Sequence, residues 1–282
     1  MPRRHPDWIK VRPPGNPNYL RLKRILREKN LHTVCEEARC PNMGECWGHN
    51  TATFLILGDT CTRGCRFCAI DKGKPLALDP EEPRNVALVV KDLGLDHIVV
   101  TSVNRDDLPD GGSAHFAKTV FWIKTLNPKI RVEVLIPDFE GDLNALATVV
   151  HSGIHVLNHN IETIPRLYGK VRPGHSYACS VNILKTAKEM RADMLTKSGF
   201  MLGVGETYEE VMATLRDLHE NNVDIVTIGQ YLQPSNRQLR VERYVTPEEF
   251  LEFKTEAEKL GFRHVESGPL VRSSYHAWSH VN

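Results

Sequence analysis

Six of the chain's seven cysteines fall between positions 35 and 68, in two triads: Cys35, Cys40 and Cys46 with gaps of four and five residues, then Cys61, Cys65 and Cys68 with gaps of three and two. Such density would suit a disulfide framework in a short secreted chain, but this one has 282 residues. Metal binding is the better reading. Soft thiolates at these spacings suit zinc or an iron-sulfur cluster, and a small residue such as Gly64 helps a loop wrap closely around a cubane. A structural zinc site is normally closed by four ligands, and no fourth Cys or His follows Cys68 at a suitable short spacing. Around an iron-sulfur cluster, three thiolates leave one iron open. The upstream triad reads less sharply from spacing alone, since half of a zinc knuckle or three buried thiols would fit it too.

The elements that position these residues follow from the hydrophobic pattern. From Thr53 onward, short apolar runs alternate with longer amphipathic segments, as in repeated βα units around a parallel sheet. Strands are expected at 53–57, 97–101, 131–136, 155–158, 197–201 and 225–228, with helices at 83–93, 114–126, 143–151, 181–190 and 208–220. Six βα units make an α/β fold of the partial (β/α)6 TIM type. Its active face is the loops at the strand C-termini, where Cys61–Cys68 falls. A helical run at Tyr19–Leu26 precedes the first triad, and a last helix at 247–260 opens on the capping box Thr246/Glu249. The chain divides into an N-terminal extension with the first triad (1–50), the barrel (51–232), and a C-terminal helix and tail covering the barrel mouth (233–282), all one integrated domain.

Hydrophobic residues at 41%, charged residues at 25% and a formal net charge of +1 carry no bias towards nucleic acid or a membrane surface. No run approaches the roughly 18 apolar residues of a membrane span, and Met1–Pro6 lacks the apolar segment of a secretory signal. The expected location is the cytoplasm, or the matrix of an organelle.

The gaps of three and two, with Phe67 just before the last cysteine, resemble the defining motif of the radical S-adenosylmethionine superfamily. That resemblance implies a 4Fe-4S cluster whose open iron binds S-adenosylmethionine, with Cys61, Cys65 and Cys68 as the catalytic ligands. An electron then splits the sulfonium to release methionine and a radical that takes hydrogen from unactivated C–H bonds. Cys-x4-Cys-x5-Cys followed by Cys-x3-Cys-x2-Cys is similar to the lipoyl synthase family within that superfamily. So are Ala38–Asn42, Gly58–Arg63, Thr101–Asp107, Asn158–Thr163 and Arg272–Tyr275, and the likeness runs from Asp7 to His276. It implies insertion of two sulfur atoms, at C6 and C8, into an octanoyl chain on a lysine of a lipoyl carrier domain. It also makes the cluster on Cys35, Cys40 and Cys46 the sulfur donor, with a terminal serine, Ser274 in preference to Ser273, as its remaining ligand. The partners so implied are the octanoylated E2 subunit of a 2-oxoacid dehydrogenase or the glycine-cleavage H protein, a ferredoxin or flavodoxin reductant, and an iron-sulfur carrier protein that rebuilds the donor cluster.

Gly199, Gly203 and Glu206 match the superfamily's Gly-x-x-x-Gly-x-x-Glu pattern at its fifth strand, where small residues let an adenine approach the backbone. Phe67, Glu162, Gln230 and Tyr231 are further expected cofactor contacts at the motif or at strand ends. Arg105, Asp106 and Asp107 read as a solvated loop, His159 and the Arg172–His175 turn as structural, and Cys179 as a small hydrophobe. The competing functions are a biotin-forming type of sulfur inserter, which lacks the upstream triad; a methylthiotransferase, which needs a nucleic-acid-binding domain; and a non-catalytic iron-sulfur carrier, which has no use for an open cluster on a barrel.

Overall fold

The computed structural model describes residues 5–11, 15, 17–48 and 51–281. Parts of the basic lead and of the extension, at 1–4, 12–14, 16 and 49–50, lie outside the described residues. In chain order the strands are β1 (His32–Thr33), β2 (Thr53–Ile56), β3 (Thr60–Cys61), β4 (Asp71–Lys72), β5 (His97–Ser102), β6 (Arg131–Leu135), β7 (Val156–Asn158), β8 (Leu195–Leu202), β9 (Ile225–Gln230) and β10 (His264–Gly268). One sheet runs β1-β2-β5-β6-β7-β8-β9-β10, with β3 and β4 paired separately. From β2 to β10 every neighbour in that sheet is parallel, and β1 is antiparallel to β2. Strands such as β9 are buried along their whole length, as a parallel sheet covered by helices requires.

All six expected strands are present, and the sheet gains two more at its edges. The seventh parallel strand, β10, carries a single buried apolar residue, Val265. Its place beside β9 comes from main-chain pairing of His264–Gly268 with Ile225–Gly229, so no apolar pattern announces it. The helix expected from Val181 begins instead at Tyr177, because the Ser176 side chain accepts the Cys179 N–H and starts the first turn earlier. Capping boxes open the helices Tyr208–Glu220 (Thr207 with Glu210) and Pro247–Leu260 (Thr246 with Glu249), each contributing about 1 kcal/mol. The main core runs from Leu22, Leu26 and Trp47 of the extension through Phe54 and Val100 of the barrel to Phe250 and Phe253 of the last helix, with a smaller cluster of Ile164, Leu167, Val171, Val204 and Tyr231 beside it.

At the N-terminal end of the strands the barrel interior is polar. Glu133 of β6 and Lys197 of β8 are both fully buried and paired at 2.9 Å, and Asn158 of β7 donates to the same Glu133 oxygen at 3.1 Å. Burial alone would raise the Glu133 carboxyl, but the Lys197 ammonium outweighs it and brings its pKa down to about 2. Lys197→Ala leaves a buried carboxylate without its cation. We expect it to lower unfolding stability by about 3 kcal/mol, read as a drop in the urea midpoint, with the double variant Lys197→Met/Glu133→Gln recovering most of the loss.

Candidate active site

The extension folds into two short helices, Val34–Glu37 and Met43–Gly48, that bring its three cysteines together. Thr33 caps the first by accepting the Glu36 N–H, the Cys40 N–H bonds back to the Cys35 carbonyl at 2.9 Å, and the Cys46 N–H to that of Asn42 at 2.9 Å. The thiols then crowd one another. Burial first, and the charge of neighbouring Cys40 second, push both Cys35 and Cys46 up to about 12.

The second triad hangs from β3, just after β2. Its loop is braced by backbone bonds from Thr62 to Asn104, Arg66 to Val171 and Cys68 to Cys65, at 3.1, 2.9 and 3.2 Å. Cys68 is likewise raised to about 12, by burial and by the nearby Cys65 and Cys61 thiols. Three sulfurs clustered together repel one another as thiolates unless a cation sits among them, and each triad offers such a cluster. Each is therefore chemically fitted to an iron-sulfur cluster, whose net charge is shared over several irons.

A network that spacing does not announce surrounds the second triad. His175 Nε2 lies 3.5 Å from Cys65 Sγ, while His175 Nδ1 faces Asp138 Oδ2 at 2.9 Å. Arg63 donates to Asp138 at 2.6 Å and to both carboxylate oxygens of Asp106 at 2.7 Å. Burial works to raise Asp138, but the His175 hydrogen bond and the Arg63 charge prevail and hold it far below the usual carboxylate range. The Arg105–Asp107 loop is correspondingly less solvated than expected: Arg105 is only 3% exposed, pairs with Asp107 and donates to the Leu57 carbonyl. Sequence reasoning undervalued Arg63, Asp138, Arg172 and His175. Their one readable signal is position, since Asp138 follows the end of β6 and Arg63 lies within the cysteine motif.

A cavity of about 500 Å³ opens at the C-terminal ends of the strands, in the size range of small-ligand sites. Cys35 and Cys40 line it from the extension, Cys61, Cys65 and Cys68 from the loop, and Ser273 and Ser274 from the tail. Cys46 does not border it but stands within electrostatic reach of Cys35. Phe67, Glu162, Gly199, Gln230 and Tyr231 form further wall. Glu162 holds a left-handed φ of 66°, unusual for a residue with a side chain and fixed here by backbone bonds to Gly199 and Met201. Burial raises its pKa against the pull of Arg172. A Cβ on Gly199 would run into the Thr227 hydroxyl, so only glycine lets β8 and β9 pack at that wall. Gln230 gives surface rather than free hydrogen bonds, because its Nε2 donates to the Leu202 and Tyr231 carbonyls and its Oε1 accepts the Val245 N–H.

Gly203 and Glu206, expected as cofactor contacts, do not border the cavity; what the structure shows for Glu206 is support of the strand end that leads to it. The Glu206 carboxylate accepts the N–H groups of Gly203, Val204 and Gly205 at 2.6, 3.0 and 3.1 Å, which fixes the turn after β8. Gly203 itself faces the Gln230 side chain and the Arg243 carbonyl. His159 is buried, bonded to the Ile136 carbonyl and Ser180, and borders the cavity, while Cys179 lies on the helix layer.

The tail reaches the cavity because Gly229 lacks a side chain: a Cβ there would collide with the Val271 carbonyl. Asn42 of the extension donates to the Leu270 carbonyl at 2.7 Å, and Tyr275 donates to Glu45 at 3.3 Å. The two serines then diverge. Ser274 Oγ accepts from the Thr53 hydroxyl at 2.7 Å, and the Thr53 N–H in turn bonds to the Cys35 thiol. Ser273 Oγ accepts from Asn160 at 3.3 Å, on the side of Glu162. Arg272 is part-buried between Cys40 and Glu162, and desolvation lowers its pKa while those two groups oppose the shift.

Comparisons with known proteins agree with this geometry. The Radical SAM superfamily model matches residues 55–218, and that of the N-terminal domain of lipoyl synthase of the Radical SAM family matches residues 2–40. The chain is 56% identical over 279 residues to lipoyl synthase of Roseiflexus sp. (strain RS-1), spanning 99% of this chain and 93% of that protein. It is 53% identical to mitochondrial lipoyl synthase of Bos taurus, spanning 97% and 76%. Solved structures with the same fold include methylornithine synthase (PylB), at TM-score 0.51 and 19% identity over 79% of this chain and 73% of that one. Streptococcus suis SuiB bound to S-adenosylmethionine is another, at TM-score 0.59 and 12% identity over 81% and 54%. At those identities the structural likeness speaks for the fold alone.

Proposed function

Because this chain belongs to the lipoyl synthase family of radical S-adenosylmethionine enzymes, we propose that Cys61, Cys65 and Cys68 hold its radical 4Fe-4S cluster and that Cys35, Cys40, Cys46 and Ser274 hold its sulfur-donating one. The enzyme inserts sulfur at C6 and C8 of a protein-bound octanoyl-lysine. When bound, the first cluster with S-adenosylmethionine supplies hydrogen abstraction from unactivated carbon, and the second supplies sulfide. The observation that supports the residue assignment is that five of the six cysteines and the two tail serines line one cavity, with Cys46 within electrostatic reach of Cys35. A fatty chain held there reaches both triads without crossing solvent.

The chain's own residues divide the remaining work. Residues 1–50 supply the donor cysteines, 51–232 the barrel and its loop triad, and 233–282 the strap that brings Arg272, Ser273 and Ser274 to the cavity. The Arg272 and Arg172 guanidiniums offset the negative charge that thiolate ligands and Glu162 bring into a buried space. Phe67, Ile136 and Tyr231 give apolar wall that keeps water from the reacting carbons. His175, oriented by Asp138, stands beside the Cys65 sulfur, where a hydrogen-bonding partner steadies a ligating thiolate. The acyl donor is an octanoylated lipoyl carrier domain, of the 2-oxoacid dehydrogenase E2 or glycine-cleavage H type. Ferredoxin or flavodoxin is the proposed electron source and an iron-sulfur carrier the proposed means of replacing the consumed cluster, and the proposed location is the cytoplasm or an organellar matrix. Among the described residues no helix is long and apolar enough to cross a membrane.

The direct test incubates the anaerobically reconstituted protein with an octanoyl-lysine peptide, S-adenosylmethionine and a strong reductant. Mass analysis should show a peptide carrying two added sulfurs, and an unchanged peptide alongside 5′-deoxyadenosine would reject sulfur insertion.

Serine is favoured at the labile corner because oxygen is a harder donor than thiolate and holds a sulfide-bridged iron less firmly. Ser274→Cys should keep eight irons per chain on the two-cubane stoichiometry and normal S-adenosylmethionine cleavage, yet lower lipoyl yield by about tenfold. Ser273→Cys should change it little. Wild-type yield from the Ser274 variant would remove the labile corner.

A further inference from the structure

At the end of the barrel opposite the cavity, the tail turns inward. His264 and Glu266 are two residues apart on β10 and so share one face of the strand, and the 3-10 turn Ala277–Val281 carries His280 onto that face. One ligand atom of each lies within 4.8 Å of the others. His264 Nε2 and Glu266 Oε2 are 3.5 Å apart, close to the separation of two ligands on a tetrahedral zinc with bonds of about 2.0–2.1 Å.

His280 is 2% exposed, yet neither of its ring nitrogens has a hydrogen-bond partner, and the buried Nε2 of His264, though 3.5 Å from Glu266, makes no hydrogen bond either. Buried polar atoms are nearly always satisfied, so an imidazole with both nitrogens idle in the protein interior needs a reason. The charged groups around His280 are Lys197, Glu133, His264 and His97. Lys197 is already paired with Glu133, so its charge is offset within the core. The side chains of His264 and Glu266 remain 29% and 24% exposed, which gives an ion a way in from solvent.

We infer that His264, Glu266 and His280 bind one divalent cation of the zinc class, which fastens the tail across the lower end of the barrel. Two imidazoles and one carboxylate form a borderline donor set that suits zinc better than calcium or magnesium, which prefer all-oxygen shells. The fourth position is left to water. With this anchor below and the Asn42 bond to the Leu270 carbonyl above, the segment carrying Ser273 and Ser274 is tethered at both ends.

The test uses reconstituted holoenzyme, its six cluster cysteines already engaged, passed over a chelating resin and then given zinc. Elemental analysis should find one zinc per chain retained after desalting. Zinc-edge X-ray absorption should show nitrogen and oxygen neighbours with imidazole features and no sulfur near 2.3 Å. His264→Asn and His280→Asn should each lower zinc retention at least tenfold with iron content unchanged, and should speed amide exchange over 277–281. If the buried His280 variant fails to fold, the partly exposed His264 variant decides the matter. No zinc retained by the wild type, a zinc-sulfur signal, or full retention in His264→Asn would each overturn the site.

Discussion

Replacing Cys61, Cys65 and Cys68 together by alanine is expected to abolish 5′-deoxyadenosine formation while leaving about four irons per chain, one cubane's worth. The three sulfurs share one loop and one cavity wall, and no other described cysteine is positioned to stand in for them: the extension's thiols belong to a separate element, with Cys35 held against Thr53 and Trp47, and Cys179 lies on the helix layer. The variant should fold, because the loop is held mainly by backbone bonds to Asn104 and Val171 that do not depend on sulfur. Anaerobic incubation with S-adenosylmethionine and dithionite, followed by chromatography of the nucleoside, measures the effect. Cleavage at the wild-type rate would reject the assignment of the radical centre.

The complementary replacement of Cys35, Cys40 and Cys46 should spare that cleavage and eliminate lipoyl product. The two triads sit on separate elements, so removing one leaves the backbone that shapes the other intact. The cost in stability is modest. Only Cys35 is fully buried, and trimming one small side chain from such a position costs about 1 kcal/mol. Iron should again fall to about half, now with 5′-deoxyadenosine retained and the octanoyl peptide unchanged in mass. Any sulfur-bearing peptide from this variant would take the donor role away from the extension's cluster. Together the two variants separate hydrogen abstraction from sulfur supply, a distinction that loss of lipoyl product alone does not make.

The chain's local order fixed a good deal of this. Ligand spacing within a loop is a property of sequence, so the Cys61–Cys68 triad could be read as a cluster motif before any fold was known, whereas the Cys35–Cys46 triad needed the family resemblance beside it; the alternation of apolar runs located all six expected strands. The capping box at Thr246 and Glu249 is equally local, since its two side chains are one helical turn apart. Tertiary structure decided what depends on partners distant in sequence. Strand β10 is polar and exists because β9 offers it a parallel edge. Glu206 matches a cofactor pattern, but the fold turns its carboxylate onto three backbone N–H groups. Arg172 and His175 look like an ordinary turn until the chain brings them against Cys65 from more than a hundred residues away. Ser273 and Ser274 are adjacent in sequence, where only a slight preference for Ser274 separates them, and the fold turns them to different partners, Asn160 for Ser273 and Thr53 for Ser274. The physical reason is common to these cases. A side chain's burial, charge environment and free hydrogen-bonding capacity are set by what packs around it, and those neighbours come from elements joined only when the sheet assembles.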